Sequence, residues 1–271
     1  MDFRLSTKRR IVQILSLFLL NSNFRSLNTK NFCIPVLNCE ACTFAWLGCP
    51  IGVMSASIVS HEFPFLVVGS IIVIGILAGR FFCGWVCPFG FLQDMLYKIK
   101  SPKYEFPSWL VGLKYVFLVV TVIVIAFFFG KGSGWFFCNF CPVSTLQVVV
   151  PSMIGYGDYS FDLNRIVRFS VLTMIILAVI INHRSFCKVV CPVGAMIAVM
   201  NKFSFFSIRL NAEKCIHCKK CDEKCPMSIQ VEGYSCRGGR IGKDTECIGC
   251  LTCEEKCPVS AITNNSKLFH K

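Results

Sequence analysis

The stretch "GRFFCGWVCPFG", residues 79–90, ends one long apolar run, and a similar stretch, "HRSFCKVVCPVG", residues 183–194, ends another. Both contain Cys-x3-Cys-Pro, so Cys87 and Cys191 each stand directly before a proline. Proline suits the first position of a helix because its missing N–H costs nothing there. The pattern therefore predicts that Cys87 and Cys191 lie at helix N-termini, where partial positive charge favours a thiolate or an anionic cluster.

The composition is that of a membrane protein. Of the 271 residues, 54% are hydrophobic and 16% are charged, and the mean hydropathy is +0.61, which is too apolar for an ordinary soluble domain. A net charge of +13 would suit nucleic acid only if Lys and Arg shared one polar face. They border the apolar runs instead, so the charge indicates membrane orientation and argues against a nucleic-acid partner.

Four apolar runs are predicted to span the membrane. Three of them are about 17 to 22 residues long, roughly enough for a 30 Å hydrocarbon core. The first has only ten residues, so it also fits the core of a signal peptide. The runs cover residues 11–20, 63–79, 109–130 and 166–182.

Basic residues flank these runs unequally. Twelve lie on one proposed side and four on the other, and the richer side is the cytoplasmic one. The chain is therefore predicted to be a multi-pass protein of the cytoplasmic membrane with both termini in the cytoplasm. The helices after Cys87 and Cys191 are predicted to lie along the inner surface as amphipathic segments. At that face four thiolates complete one 4Fe-4S site, held by Cys83, Cys87, Cys187 and Cys191.

From residue 211 the composition turns polar and the cysteines become regular. Residues 215–226 and 247–258 both read C-x2-C-x2-C-x3-C-P, a pattern in which the fourth cysteine ligates the cluster of the other motif. A structural zinc site closes with four ligands and has no use for a third cysteine at the same spacing. The pattern predicts two 4Fe-4S clusters, one held by Cys215, Cys218, Cys221 and Cys257 and one by Cys247, Cys250, Cys253 and Cys225.

The outer cysteines are predicted to hold a fourth cluster. A Cys-Pro, an apolar run and a Cys-x3-Cys-Pro follow one another twice, which indicates two degenerate repeats whose cysteine pairs meet at both faces. Because an outer compartment can be oxidising, thiol or disulfide chemistry at these pairs stays open. Cys33 and Cys236 are predicted to be non-ligand thiols. Four of the following five are expected to be ligands: Cys39, Cys42, Cys49, Cys138 and Cys141.

The predicted fold therefore has two parts. Residues 1–210 form an all-α membrane domain with four transmembrane helices in two degenerate repeats. Residues 211–271 form a small α+β domain that resembles a bacterial two-cluster ferredoxin.

With these motifs, residues 60–264 resemble the membrane-bound ferredoxin family that includes the NapH quinol dehydrogenase subunit of periplasmic nitrate reductases and the polyferredoxin part of the nitrous oxide reductase regulator NosR. The two Cys-x3-Cys-Pro motifs, "CIHCKKCDEKCP" and "CIGCLTCEEKCP" carry the resemblance. It implies transfer of electrons between a quinol pool or cytoplasmic donor and an extracytoplasmic partner, or maturation of a metalloenzyme. The outer cysteines depart from the nitrate reductase subunit, and a cluster there would let electrons cross the membrane without quinol.

These observations predict a membrane iron-sulfur electron-transfer protein, a subunit of an oxidoreductase complex rather than a stand-alone enzyme. Electrons would pass between the ferredoxin clusters and an outer flavin, haem or thiol partner through the inner and outer membrane clusters. Partners would be membrane lipid and redox proteins on both sides, including a cytoplasmic donor; a quinone and a homodimer are further candidates. Three alternatives stay open: a quinol-oxidising subunit, a metalloenzyme maturation factor and a transmembrane thiol-disulfide reductase.

Overall fold

The computed structural model describes residues 5–22, 33–42, 44–45, 47–130, 132–157, 162–235 and 239–264. Cys236, predicted to be a non-ligand thiol, lies outside the described residues. Within them the chain is mainly helical up to residue 201, and a single two-stranded sheet follows.

Thirteen helical segments make up the first part of the described chain. They are α1 (Leu5–Leu20), α2 (Pro50–Val59), α3 (Phe65–Ala78), α4 (Phe81–Trp85), α5 (Pro88–Leu96), α6 (Leu113–Phe117), α7 (Ile125–Phe129), α8 (Phe137–Phe140), α9 (Pro142–Ser144), α10 (Val150–Tyr156), α11 (Leu163–Ile181), α12 (Ser185–Val189) and α13 (Pro192–Asn201). A 3-10 turn (Ser108–Gly112) precedes α6, and a π-helical turn (Leu118–Val124) joins α6 to α7. A second π-helical turn (Thr145–Val149) joins α9 to α10.

Two helices are long and apolar enough to cross a membrane. They are Trp109–Phe129, which contains α6 and α7 and has 21 residues, and α11, which has 19 residues. The other two predicted spans form shorter helices, α1 with 16 residues and α3 with 14, which extend about 24 and 21 Å at 1.5 Å per residue. The described residues thus contain two helices of spanning length where the sequence predicts four spans.

Each of the four Cys-Pro pairs before residue 211 begins a helix. Cys49, Cys87, Cys141 and Cys191 are the N-cap residues of α2, α5, α9 and α13, and a proline occupies the first turn of each. The prediction that Cys87 and Cys191 lie at helix N-termini is confirmed. The same geometry holds at the two outer Cys-Pro pairs.

The helix after Cys191 does not lie along a surface. In α13, Ala195, Ile197 and Ala198 are fully buried, and α3 passes so close that a Cβ at Gly75 would lie 2.7 Å from the Cβ of Met200. The amphipathic prediction for α13 is therefore wrong. Its sequence is apolar on nearly every side, and such a helix is stable where it is surrounded by protein.

Residues 33–42 pack inside the protein, although the sequence suggests an outer loop. Val36, Leu37 and Asn38 are 1 to 3% exposed. The Asn38 amide donates to the carbonyl of Leu20, at 3.5 Å, and accepts from Nε2 of Gln147, at 2.9 Å. The buried polar side chain is thus satisfied, and the segment is held between α1 and the helix that begins at Pro142.

The C-terminal part repeats one backbone conformation twice. Strands β1 (Ile208–Leu210) and β2 (Ile262–Asn264) pair antiparallel, and the short helices α14 (Lys220–Glu223) and α15 (Thr252–Lys256) carry the third cysteine of each motif. Left-handed φ values recur at matching positions of the two motifs. The pairs are His217 and Gly249, Lys219 and Leu251, and Ser228 and Ser260. Non-glycine residues adopt this conformation at a cost, which indicates that both motifs wrap around a common type of centre.

Candidate iron-sulfur sites

Eight cysteines of the C-terminal part surround two cavities. In each cavity three cysteines come from one motif and the fourth comes from the other, which is the crossed arrangement of two-cluster ferredoxins. The first cavity is lined by Cys215, Cys218, Cys221 and Cys257, and the second by Cys225, Cys247, Cys250 and Cys253. These are the two sets that the spacing predicts, and iron ligation by them stays a prediction.

A single metal ion requires its ligands to lie close together. Within the described residues, no group of three or more His, Cys, Asp or Glu side chains is close enough to hold one ion. Tetrahedral zinc with 2.3 Å bonds to sulfur requires sulfurs only about 3.8 Å apart. More widely spaced thiols suit a 4Fe-4S cluster, which takes four cysteine thiolates.

The inner quartet, Cys83, Cys87, Cys187 and Cys191, comes from two matching helix pairs. Cys83 lies in α4 and Cys187 in α12, and Cys87 and Cys191 cap the helices that follow. Burial raises the pKa of Cys191 well above the ordinary thiol value, and the nearby Cys187, Cys83 and Cys87 raise it further. The structure therefore brings together all four cysteines that the sequence assigns to the inner site.

Donors surround these sulfurs. The backbone N–H of Gly194 donates to Sγ of Cys191 at 3.3 Å, and Nε2 of Gln93 donates to Sγ of Cys187 at 3.1 Å. The backbone of Leu37 lies near Cys87 and opposes the rise in the pKa of that thiol that burial causes. Hydrogen bonds to ligand sulfur are among the protein's means of stabilising an anionic cluster and setting its potential.

The charge around the inner quartet is unbalanced. The Arg184 guanidinium pairs with Asp94 at 2.7 Å, and Arg80 pairs with Glu246 at 3.1 Å, which also pairs with Lys114. Lys188 is buried as well, but its ammonium donates to the neutral Asn182 and Ser228. Four buried cations thus face two carboxylates.

Burying an uncompensated charge is costly. The excess of buried positive charge therefore fits an anionic centre at the inner quartet. A 4Fe-4S cluster with four thiolate ligands is such a centre. The residues at the inner quartet therefore suit the group that the sequence predicts there.

Four of the five cysteines predicted for the outer site lie around one cavity, and they are called the outer quartet below. Cys39, Cys49, Cys138 and Cys141 line a single cavity of about 340 Å³. Cys42 does not line it, although it is buried and adjacent to Cys39. Burial raises the pKa of Cys141 to about 12, with Cys138 and Cys39 as neighbouring contributors.

The cavity at the outer quartet is larger than the cavities at the two ferredoxin sites. Its cavity of about 340 Å³ compares with about 20 Å³ for each of the two ferredoxin cavities. Of these three cavities, the one at the outer quartet has the most space beside its cysteines. Cys33, predicted to be a non-ligand, is not among the residues that line this cavity. It is buried, and its backbone forms an isolated parallel β-bridge with Gly48.

Leu37 separates the inner and outer quartets. Its backbone lies near Cys87 of the inner set, and the same residue lines the outer cavity beside Cys39. Two residues of extended chain span at most about 7 Å. Cys49, Cys87, Cys141 and Cys191 also share one continuous apolar core. The two membrane sites are thus neighbours.

The second ferredoxin site lies directly against the inner quartet. A Cβ at Gly84 would lie 2.3 Å from the carbonyl oxygen of Ile248 and 3.5 Å from Cα of Cys250. The indole N–H of Trp85 donates to the carbonyl of Gly249 at 2.9 Å. The loop of the Cys83 motif therefore packs against the loop of the Cys247 motif with no side chain between them.

Sequence reasoning missed the buried arginines and Leu37. An arginine stands three residues before the first cysteine of both Cys-x3-Cys-Pro motifs, in "GRFFC" and "HRSFC". This repeated Arg-x2-Cys was a signal available in the sequence. Leu37 had none, because its role depends on how its segment folds into the core.

Comparison with known proteins agrees with this geometry. A family described as "4Fe-4S binding domain" matches residues 60–114 and 165–211, which contain the inner quartet. A family described as "4Fe-4S dicluster domain" matches residues 207–258, which contain the eight ferredoxin cysteines. No solved structure matches the chain.

Among curated proteins, the candidate electron transport protein YccM of Escherichia coli is 31% identical over 180 residues, 64% of this chain and 48% of YccM. The methylamine utilization ferredoxin-type protein MauN of Methylobacillus flagellatus is 26% identical over 59% of this chain and 53% of MauN. The regulatory protein NosR of Stutzerimonas stutzeri is 27% identical over 56% of this chain and 21% of NosR. The matches thus span at most about half the length of these relatives. The chain thus contains two kinds of 4Fe-4S domain and is similar in sequence to ferredoxin-type electron-transport proteins, which fits the NapH/NosR-type family.

Proposed function

We propose that this protein conducts electrons across the cytoplasmic membrane between a cytoplasmic donor at its ferredoxin end and a redox partner at its outer cysteines. Four cysteine sets would each hold one 4Fe-4S cluster, which accepts and donates single electrons. The proposed ligands are the two ferredoxin sets, the inner quartet and the outer quartet of Cys39, Cys49, Cys138 and Cys141. Cys33 and Cys42 are not among them.

The contact made by Leu37 carries this proposal. If the two membrane sites were far apart, a second protein or a homodimer would have to complete the path. Leu37 lies near Cys87 and lines the outer cavity, which supports a path within one chain. Leu37 is apolar and only 3% exposed, so it helps to keep water away from this part of the path.

The order of transfer follows from the contacts of the ferredoxin part. The Cys225, Cys247, Cys250 and Cys253 set packs against the inner quartet through Gly84 and Trp85. The other ferredoxin set includes Cys218, which is exposed to solvent. The cytoplasmic donor is therefore expected to meet the Cys218 side, and the Cys250 side delivers electrons to the inner quartet.

Four membrane spans with both termini in the cytoplasm remain part of the proposal, as do domain limits of 1–210 and 211–271. Support comes from the two shorter helices, which present large apolar side chains outward as lipid-facing helices do. Examples are Leu15 and Phe18 of α1 and Phe65 and Leu66 of α3, which are between 56 and 75% exposed. A bilayer adapts to a short helix by thinning locally.

A quinol-oxidising function is the second candidate, because an apolar cavity of about 570 Å³ lies between the helix Trp109–Phe129 and α11. Asn139 and Arg168, which hydrogen bond to each other at 3.0 Å, are among its few polar groups. Asn139 follows Cys138 of the outer quartet, and Phe186 at the other end precedes Cys187 of the inner quartet. Such a cavity fits an apolar molecule with a polar head, such as a quinone.

Sealed vesicles test the proposed conduit. Protein purified without oxygen is reconstituted in quinone-free vesicles that contain a trapped one-electron acceptor, and a membrane-impermeant reductant is added outside. The conduit predicts reduction of the trapped acceptor by the wild type and by Cys42→Ser, and at least a tenfold lower rate in Cys49→Ser/Cys141→Ser. Transfer that begins only when quinone is added would favour the quinol function instead. Transfer at equal rates in all three proteins would refute a path through the outer quartet.

A thiol-disulfide function is tested on the same preparations by alkylation. Disulfide exchange predicts that mass shifts at Cys39 and Cys138 differ between air-treated and reduced protein. The conduit predicts that these cysteines resist alkylation until iron is removed, because iron ligation occupies the thiolates.

A further inference from the structure

Arg80 and Arg184 occupy equivalent positions in the two halves of the inner site. Each stands three residues before the first cysteine of its motif and is the residue that precedes a short helix, α4 or α12. Their side chains are 1% and 0% exposed. Two arginines at matching positions of two motifs, both fully buried, indicate a shared role at the centre that the motifs enclose.

Each guanidinium reaches across to the other half. Nη2 of Arg80 and Sγ of Cys191 lie 3.3 and 3.6 Å from the point where a Cβ at Gly194 would stand. Nη2 of Arg184 lies 3.3 Å from the corresponding point at Gly90, and its Nη1 donates to the carbonyl of Cys83 at 2.9 Å. The glycine three positions after each Cys-Pro cysteine therefore leaves room for the arginine of the opposite motif.

Fixed partners hold both arginines in place. Arg184 donates from Nε and Nη2 to the two carboxylate oxygens of Asp94, at 2.8 and 2.7 Å. Arg80 donates from Nη1 to Glu246 and to the carbonyl of Thr245. Nε of Arg80 is buried and has no hydrogen-bond partner among the described residues. A buried charged donor left unsatisfied in this way is typical of a site that also contacts an anionic group.

We propose that Arg80 and Arg184 act as a pair of positioning residues that fix positive charge beside the inner quartet and raise the reduction potential of the cluster bound there. This inference rests on the proposed cluster at Cys83, Cys87, Cys187 and Cys191. Reduction adds negative charge to a centre that is already anionic, so nearby cations stabilise the reduced form more than the oxidised form. Asp94 and Glu246 act in the opposite direction, since they offset part of that charge.

The opposite signs of these effects supply the test. Full-length protein is purified without oxygen and titrated with mediators while cluster spectra are recorded, and the inner signal is identified as the one lost in Cys83→Ser/Cys187→Ser. Arg80→Gln and Arg184→Gln should each lower the midpoint potential of that signal, and the Arg→Lys variants should restore part of it. Asp94→Asn should raise it. Arg209→Gln, which changes the same residue type on the exposed surface, should leave it unchanged.

Iron content separates the possible failures. If the Gln variants retain wild-type iron and the wild-type potential, the inference is overturned. If they do not accumulate, Asp94→Asn decides the matter alone, because an unchanged or lower potential in that variant contradicts a fixed charge at the site. If Cys83→Ser/Cys187→Ser keeps all of the wild-type iron, the proposed inner cluster itself fails and the inference fails with it.

Discussion

The contact between Gly84 and the ferredoxin part gives a sharp prediction. A methyl group at residue 84 would lie 2.3 Å from the carbonyl oxygen of Ile248, whereas ordinary contacts begin near 3.4 Å. Gly84→Ala therefore has to move the loop of the Cys247 motif by about 1 Å, because the opposing atom belongs to the backbone and cannot rotate away. The shift also stretches the hydrogen bond from Trp85 to Gly249.

Overpacking of this kind costs about 1–3 kcal/mol. If that cost falls on the contact between the two parts, the separated state becomes about 5- to 140-fold more populated. Amide hydrogen exchange of the segments 84–87 and 247–251, followed by mass spectrometry on protein with its iron bound, should accelerate by the same factor.

Gly69→Ala is the matched control. Gly69 also lies in an apolar helix, and a Cβ there would meet nothing within 4 Å. We expect wild-type exchange at residues 84–87 and 247–251 in this variant. Wild-type exchange in Gly84→Ala as well would show that the ferredoxin part does not rest on this loop, and the proposed order of transfer would lose its basis.

Three further predictions concern charge and ligation. Glu246→Gln removes the carboxylate shared by Arg80 and Lys114, so we expect a loss of about 3–5 kcal/mol in the free energy of unfolding. Thermal unfolding measures this loss, with Glu213→Gln at an exposed residue as the control. Equal unfolding temperatures for the two variants would contradict the prediction. Cys42→Ser should keep the wild-type iron content and Cys49→Ser should lose iron, and the reverse result would reassign the outer set. Burial alone raises the pKa of Asp94, but the neighbouring Arg184 and His183 hold this pKa well below the ordinary carboxyl value. The ionised Asp94 therefore stabilises the fold above the unfolded pKa near 3.9, and this stabilisation is lost as the pH falls below that value. Asp94→Asn should weaken the acid sensitivity of unfolding below about pH 4, and an unchanged profile would contradict this ion pair.

Short, local patterns made most of the sites predictable from sequence. Proline suits the first turn of a helix, so the helix N-termini at Cys87 and Cys191 could be predicted from the residues. The C-x2-C-x2-C-x3-C-P spacing likewise predicts which cysteines of the C-terminal part share a cavity, because it dictates the crossed arrangement.

Features that depend on packing could not be predicted in this way. Helix α13 was expected at a surface, but its fully apolar sequence is buried against α3. Helix α3, with 14 residues, is shorter than the apolar run 63–79, and α1, with 16 residues, is longer than the run 11–20, because hydropathy does not specify where a helix ends. Nothing in the sequence distinguishes Cys42 from Cys39, and only the fold places Leu37 both near Cys87 and at the outer cavity.

Iron and acid-labile sulfide per chain test the central claim most directly. Protein purified without oxygen is compared with Cys83→Ser/Cys187→Ser and with Cys49→Ser/Cys141→Ser. Four 4Fe-4S clusters predict roughly 16 iron in the wild type and about 12 in each variant. A value near roughly 8 in all three proteins would confine iron to the ferredoxin part and contradict a path of clusters through the membrane.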